Sequence, residues 1–176
     1  MSVEQFAAMP REEAIHYELV EGELIRVASG TPKHAWIRDG LCSELREFLR
    51  RNACGIVLAE VECLTAGDTV RRPDISFLPK DRWRLVDPDK IPLPFPPDIT
   101  VEVLSVSESA IDVKRKVHEY LGAGSQEVWV IDSVNSEIMI RTTTGVRFLS
   151  AENMVESPLL PGFSISVSAV LAAPSA

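Results

Sequence analysis

The sequence predicts an α/β domain: a mixed β-sheet flanked by helices, with an N-terminal helix and a β-hairpin ahead of it. Three observations predict this. Through residues 34–52 the apolar side chains Ile37, Leu41, Leu45, Phe48 and Leu49 recur at helical spacing. Short apolar runs at 73–78, 99–104 and 127–132 have the length of strands. Residues 99–132 read as strand, helix, strand, and a helical crossover of that kind joins two parallel strands of one sheet.

Taken in order, Ser2 suits the cap of a short helix to about Met9, which Pro10 would end or redirect. Residues 17–27 read as two short strands around a Glu21-Gly22 turn. The long helix over 34–52 is followed by Gly55, near where a C-terminal stop belongs. Residues 56–63 and 73–78 read as strands, with Ala66-Gly67-Asp68 turning between them. Pro88, Pro92, Pro94, Pro96 and Pro97 make 87–98 an extended loop, because proline fixes φ and lacks an amide donor. In 99–104, Ile99, Val101 and Val103 share one face, and Thr100, Glu102 and Leu104 the other. Ser107 or Ser109 starts a helix to about Leu121, with Val113, Val117, Tyr120 and Leu121 inward and Gly122 and Gly124 near its end. A strand over 127–132, a hairpin of 137–142 with 146–149, and a partly extended tail complete the chain.

The chain has 176 residues, 45% of them hydrophobic and 25% charged, as expected of one globular domain over 1–176. No stretch reaches the roughly 18 apolar residues of a membrane span, and the N-terminus lacks the pattern of a secretory signal. Cys42, Cys54 and Cys63 form no Cys-x-x-Cys pair, so free thiols in a reducing cytoplasm are expected rather than a zinc site. The net charge of -8 argues against indiscriminate, charge-driven DNA binding, though screening over about 8 Å leaves room for a local basic surface. The basic clusters Arg71-Arg72, Lys80-x-Arg82-x-Arg84 and Lys114-Arg115-Lys116 read, each alone, as ordinary solvated charge.

The chemistry-bearing set is dispersed: Asp74 before an apolar run, Glu102 inside Ile-Thr-Val-Glu-Val, and Lys116 on the following helix. If the two acidic strands are neighbours, opposed side chains have Cβ atoms about 4.5–5.5 Å apart. Two carboxylates that close raise one another's pKa or bind a cation. A magnesium-dependent phosphodiester hydrolase needs such a pair, with an ammonium to orient water and offset developing charge. The plainer readings are a turn residue for Asp74, an exposed strand position for Glu102, and an i,i+4 pair of Lys116 with Asp112 worth about 0.2–0.5 kcal/mol. For Glu102 the plainer reading is the weaker one, because strands of a parallel pair are covered on both faces and an acid there needs a partner.

Six pieces in order carry a family resemblance: Tyr17-Glu-Leu-Val-Glu-Gly-Glu-Leu; Arg72-Pro-Asp-Ile-Ser-Phe; Pro97-Asp-Ile-Thr-Val-Glu-Val-Leu-Ser; Asp112-x-x-x-Lys116-x-x-x-Tyr120; Glu127-Val-Trp-Val-Ile-Asp132; and Ser157-Pro-Leu-Leu-Pro-Gly-Phe163. Together they resemble the Uma family of putative restriction endonucleases, within the PD-(D/E)XK nuclease superfamily. The resemblance implies a restriction-endonuclease-like core, and Asp74, Glu102 and Lys116 as the catalytic set. It implies Mg²⁺ or Mn²⁺ held by Asp74, Glu102 and the Val103 carbonyl, and DNA as the partner. The superfamily's usual lysine position, two residues after the acid, is Leu104 here, so Lys116 would reach the site from the helix instead. Val106 and Gln126 also depart, standing where the family tends to have proline.

Glu18 and His34 sit at positions of the family pattern and would support the site, although the plainer reading of His34 is a helix-start residue. His16 and His118 have no ligand partners at metal spacing, and Trp36, Trp83 and Trp129 read as packing. Cutting both DNA strands takes two sites, which makes a homodimer plausible. The rival expectation is a non-catalytic nucleic-acid-binding or scaffold protein that keeps the nuclease fold.

Overall fold

The computed structural model describes residues 1–27, 30–105 and 108–173. Ser2 caps α1 (Val3–Ala7) in a capping box: its hydroxyl accepts from the Gln5 amide while the Gln5 side chain accepts from its own. Pro10 redirects rather than ends the helical run, standing at the cap of α2 (Arg11–Ala14), where a missing amide forfeits nothing. The hairpin of β1 (Tyr17–Val20) and β2 (Glu23–Arg26) closes through Glu21 and Gly22 at φ of 50° and 80°, the conformation a two-residue turn demands. α3 (Pro32–Arg51) starts ahead of its apolar stripe because the Thr31 hydroxyl caps it and Pro32 fits the first turn. Gly55 is not its stop. Asn52 closes the helix, and Gly55 opens β3 (Gly55–Ala59).

The expected strand over 56–63 is broken in two. Glu60 takes a φ of 52° and gives its amide to the Asp74 carbonyl, so the chain leaves one sheet and enters another. There β4 (Cys63–Ala66) pairs with β5 (Thr69–Arg71), a strand the sequence reading missed. β6 (Ile75–Pro79) begins later than expected and runs into the short α4 (Lys80–Trp83), also missed. After the proline-rich loop come β7 (Ile99–Val103) and α5 (Ala110–Ala123), capped by Ser109 and closed by Gly124 at φ 118°. The alternative helix start at Ser107, and Val106, lie outside the described residues. β8 (Glu127–Asp132), β9 (Glu137–Arg141) and β10 (Val146–Ser150) follow as expected. The tail forms β11 (Met154–Val155), β12 (Ile165–Ser166) and an unforeseen α6 (Val167–Leu171).

The main sheet has the order β10-β9-β8-β7-β6-β3, in which β7 and β8 are parallel and the other neighbours antiparallel. A second sheet, β2-β1-β5-β4, lies alongside, and β11 pairs with β12. One face of the main sheet, including Ile75, Val101 and Trp129, packs on Ile37, Leu41 and Leu45 of α3 and on Val167 and Val170 of α6. The opposite face, with Leu78, Val128 and Val130, packs on Val117 and Tyr120 of α5. Each fully buried aliphatic or aromatic side chain contributes about 1.5–3 kcal/mol. Among the described residues no helix is long and apolar enough to cross a membrane, and the three cysteines are free.

Candidate active site

The antiparallel register of β6 and β7 pairs Ile75 with Val101, and one further step sets Asp74 beside Glu102. That alternation sends Val101 and Val103 into the α3 core, while Glu102 faces α5. Its partners are there. The Lys116 ammonium donates to Glu102 Oε2 at 3.1 Å, and the buried Tyr120 hydroxyl donates to Oε1 at 2.7 Å. Lys116 and Tyr120 stand one turn apart on α5, so a single helix face supplies both. The i,i+4 pairing of Lys116 with Asp112 does not form: Asp112 accepts from Arg115 and Ser109, and the second partner of Lys116 is Glu108, at 2.8 Å.

Asp74 is oriented by backbone and side chain. Its Oδ2 accepts from the Val103 amide at 2.7 Å, and its Oδ1 lies 3.2 Å from His34 Nε2. His34 therefore does more than begin a helix, since its ring reaches Asp74 from the first turn of α3. Of Val103, the group placed against Asp74 is the N–H. Glu18 is buried and lies behind the site: Arg71 donates to it at 2.8 Å and the Arg72 amide at 3.0 Å. Arg71, 1% exposed, also holds Glu119 of α5 through two bonds of 2.6 and 3.0 Å. The basic clusters are thus largely structural. Arg72 pairs with Glu62, and Arg82 pairs with Asp98 and lies 4.2 Å from the Phe95 ring centre. Trp129 is buried and bonded to Glu127, which is packing.

These groups line one cleft of about 430 Å³, which contains His34, Asp74, Glu102, Val103 and Lys116 together. Burial pushes the Glu102 carboxyl up to about 7; the Lys116 ammonium opposes the rise, and Asp74 and Glu18 add to it. For Lys116, burial disfavours the charge, but Glu102, Glu18 and Glu108 outweigh it and hold the amine protonated. The hydrogen bond to Asp74 raises the His34 pKa. The lysine is therefore fitted to act as a cation, not as a base.

The donor set suits a hard divalent cation. Asp74 and Glu102 offer only oxygens, and a carboxylate has about four acceptor positions, more than their hydrogen bonds here occupy. The repulsion that helps raise Glu102 is what a bound cation would relieve. Among the described residues no cluster of three His, Cys, Asp or Glu side chains stands ready for a metal, so further ligands would come from backbone, water or substrate.

A protein-family model described as Uma2, putative restriction endonuclease, matches residues 3–168. Among solved structures, that of a putative nuclease belonging to DUF820 from Anabaena variabilis is similar, with a TM-score of 0.84, 22% identity, and 97% of each chain covered. At that identity the likeness speaks for the fold. The nuclease-like mixed sheet flanked by helices is the architecture the sequence predicted. No curated protein matches the chain.

Proposed function

Because the chain belongs to the Uma2 family of putative restriction endonucleases, we propose that it is a metal-dependent endonuclease that hydrolyses DNA phosphodiester bonds. The observation that carries this reading is the meeting of Asp74, Glu102 and Lys116 in one cleft, from two neighbouring strands and the next helix. Asp74, Glu102 and the Val103 carbonyl would hold Mg²⁺ or Mn²⁺. When bound, the metal would polarise the scissile phosphate and lower the pKa of a coordinated water. Lys116, held protonated, orients the attacking water and offsets charge developing on phosphorus. Tyr120 fixes the Glu102 carboxylate from behind, and the Val103 amide fixes Asp74. Hydrolysis adds the water oxygen to phosphorus and releases the 3′ oxygen as a hydroxyl, leaving a 5′-phosphate. We take residues 1–176 as one unit. The free thiols fit a reducing cytoplasm.

The first test is thermal unfolding of wild type and Glu102→Gln with increasing Mg²⁺ and Mn²⁺, alone and with a short oligonucleotide. Metal at one hundred times its Kd stabilises the native state by about 2.7 kcal/mol, a rise in Tm of roughly 5–10 °C for a chain of this size. We expect that rise in wild type and its loss in Glu102→Gln. No rise in either setting, together with no DNA cleavage, would select the rival: a non-catalytic binding or scaffold protein that keeps the fold. The net charge of -8, awkward for a free-standing DNA enzyme, is the observation in that rival's favour.

A further inference from the structure

Asp74 and Glu102 are held in different ways. Glu102 lies inside the paired length of β7, and its carboxylate is fixed by Lys116 and Tyr120. Asp74 stands just ahead of β6, whose pairing with β3 and β7 begins at Ile75. Its backbone carbonyl accepts from the Glu60 amide at 3.2 Å, which places the main chain but not the carboxylate. The direction of the Asp74 side chain therefore depends on two hydrogen bonds. One runs from the Val103 amide to Oδ2, and the other from His34 Nε2 to Oδ1.

The source of the second bond is itself fixed. His34 is the third residue of α3, and Ile37, Leu41 and Leu45, none more than 2% exposed, anchor that helix on the sheet. The ring rests against Gly30. A Cβ there would stand 2.9 Å from Nδ1 and 3.2 Å from Cγ, closer than van der Waals contact allows. The missing side chain at position 30 is thus what gives the imidazole its room. One ring nitrogen bonds Asp74 and the other lies against Gly30, so packing and hydrogen bonding together define where the ring sits.

We infer that His34 is a positioning residue for the proposed metal centre: it turns the Asp74 carboxylate toward the cation, and Gly30 sets the place of its ring. The inference rests on the metal-dependent reading and adds to it a residue that acts through Asp74 rather than on the substrate. Carboxylates that ligate a metal are commonly oriented by such partners, whose loss weakens metal binding by about 10–100-fold. A purely structural tie between α3 and β6 would instead lower the metal-free Tm and leave metal affinity unchanged.

The test titrates Mn²⁺ into the full chain and reads an apparent Kd from the metal-dependent rise in Tm. The proteins are wild type, His34→Ala, His34→Gln, Gly30→Ala and the double variant Gly30→Ala/His34→Ala. We expect His34→Ala to weaken Mn²⁺ binding about 10–100-fold. His34→Gln keeps an N–H donor and should recover most of that loss. Gly30→Ala should weaken binding by displacing the ring, yet add nothing once the ring is gone, so the two substitutions are non-additive. At saturating Mn²⁺, DNA cleavage by His34→Ala should return close to the wild-type rate. The metal-free melt of each variant separates lost fold from lost metal. Mn²⁺ binding by His34→Ala as tight as wild type overturns the inference and leaves the hydrolase reading standing. Additive effects overturn the part given to Gly30, and a rate loss that persists at saturating Mn²⁺ places His34 in the chemical step instead. A wild type that takes up no Mn²⁺, alone or with an oligonucleotide, overturns the metal-dependent reading and this inference with it.

Discussion

Lys116→Ala and Asp74→Asn should each lower DNA cleavage by at least about 10²–10³-fold, the usual cost of removing one group that stabilises developing charge. Both proteins should remain folded. Asp74→Asn keeps a side-chain oxygen for the Val103 amide, so the local hydrogen bond survives while the anionic ligand is lost. Lys116→Ala strips Glu102 of the cation that holds its pKa down, and the carboxyl then takes a proton instead of remaining a bare buried charge. Glu108 can turn to solvent. The check is initial cleavage rate under single-turnover conditions, with circular dichroism and melting on the same samples. Full activity in either folded variant rejects the assignment of these residues.

The largest effect on stability should come from a residue that need not touch substrate. Arg71→Met leaves Glu18 and Glu119 without the guanidinium that bonds both, Glu18 being almost wholly buried and Glu119 side chain 20% exposed. Breaking a buried ion pair from one side costs about 3–5 kcal/mol. Against a typical stability of about 5–15 kcal/mol, that is a substantial share, and it should lower Tm by roughly 6–20 °C. Urea unfolding measures it directly. Adding Glu119→Gln to Arg71→Met should return part of the loss, because one of the two stranded charges is gone. A change under about 1 kcal/mol would mean that water reaches these carboxylates and the network is solvated.

Arg71 also marks where sequence reading runs out. In the chain it stands in an Arg-Arg pair that looks like solvated charge, on a strand of three residues, too short to display alternation. What buries it are Glu18, 53 positions earlier, and Glu119, 48 positions later, and no local pattern carries that. His34 is similar: its amide serves the helix start that its position announces, but its ring meets Asp74 across the fold. The break of the expected strand at Glu60 depends on a backbone bond to Asp74, again distant in sequence. β7 and α5 were legible for the opposite reason. Their alternation and helical stripe are local signals, and the short connection between them brings Lys116 back over Glu102.

α5 is tied to two sheets at once, through Lys116 to Glu102 on β7 and through Glu119 to Arg71 on β5. Releasing the helix from the main sheet leaves the buried Glu102 without its ammonium, and releasing it from the second leaves Arg71 with Glu18 alone, so the first small opening is the costly one. We expect this wall to open cooperatively, the helix staying docked or leaving as a unit, which amide hydrogen exchange along α5 would show as one common opening rate. The spacing of Asp74, Glu102 and Lys116 would then be kept by a latch of two charges, independently of whatever occupies the cleft.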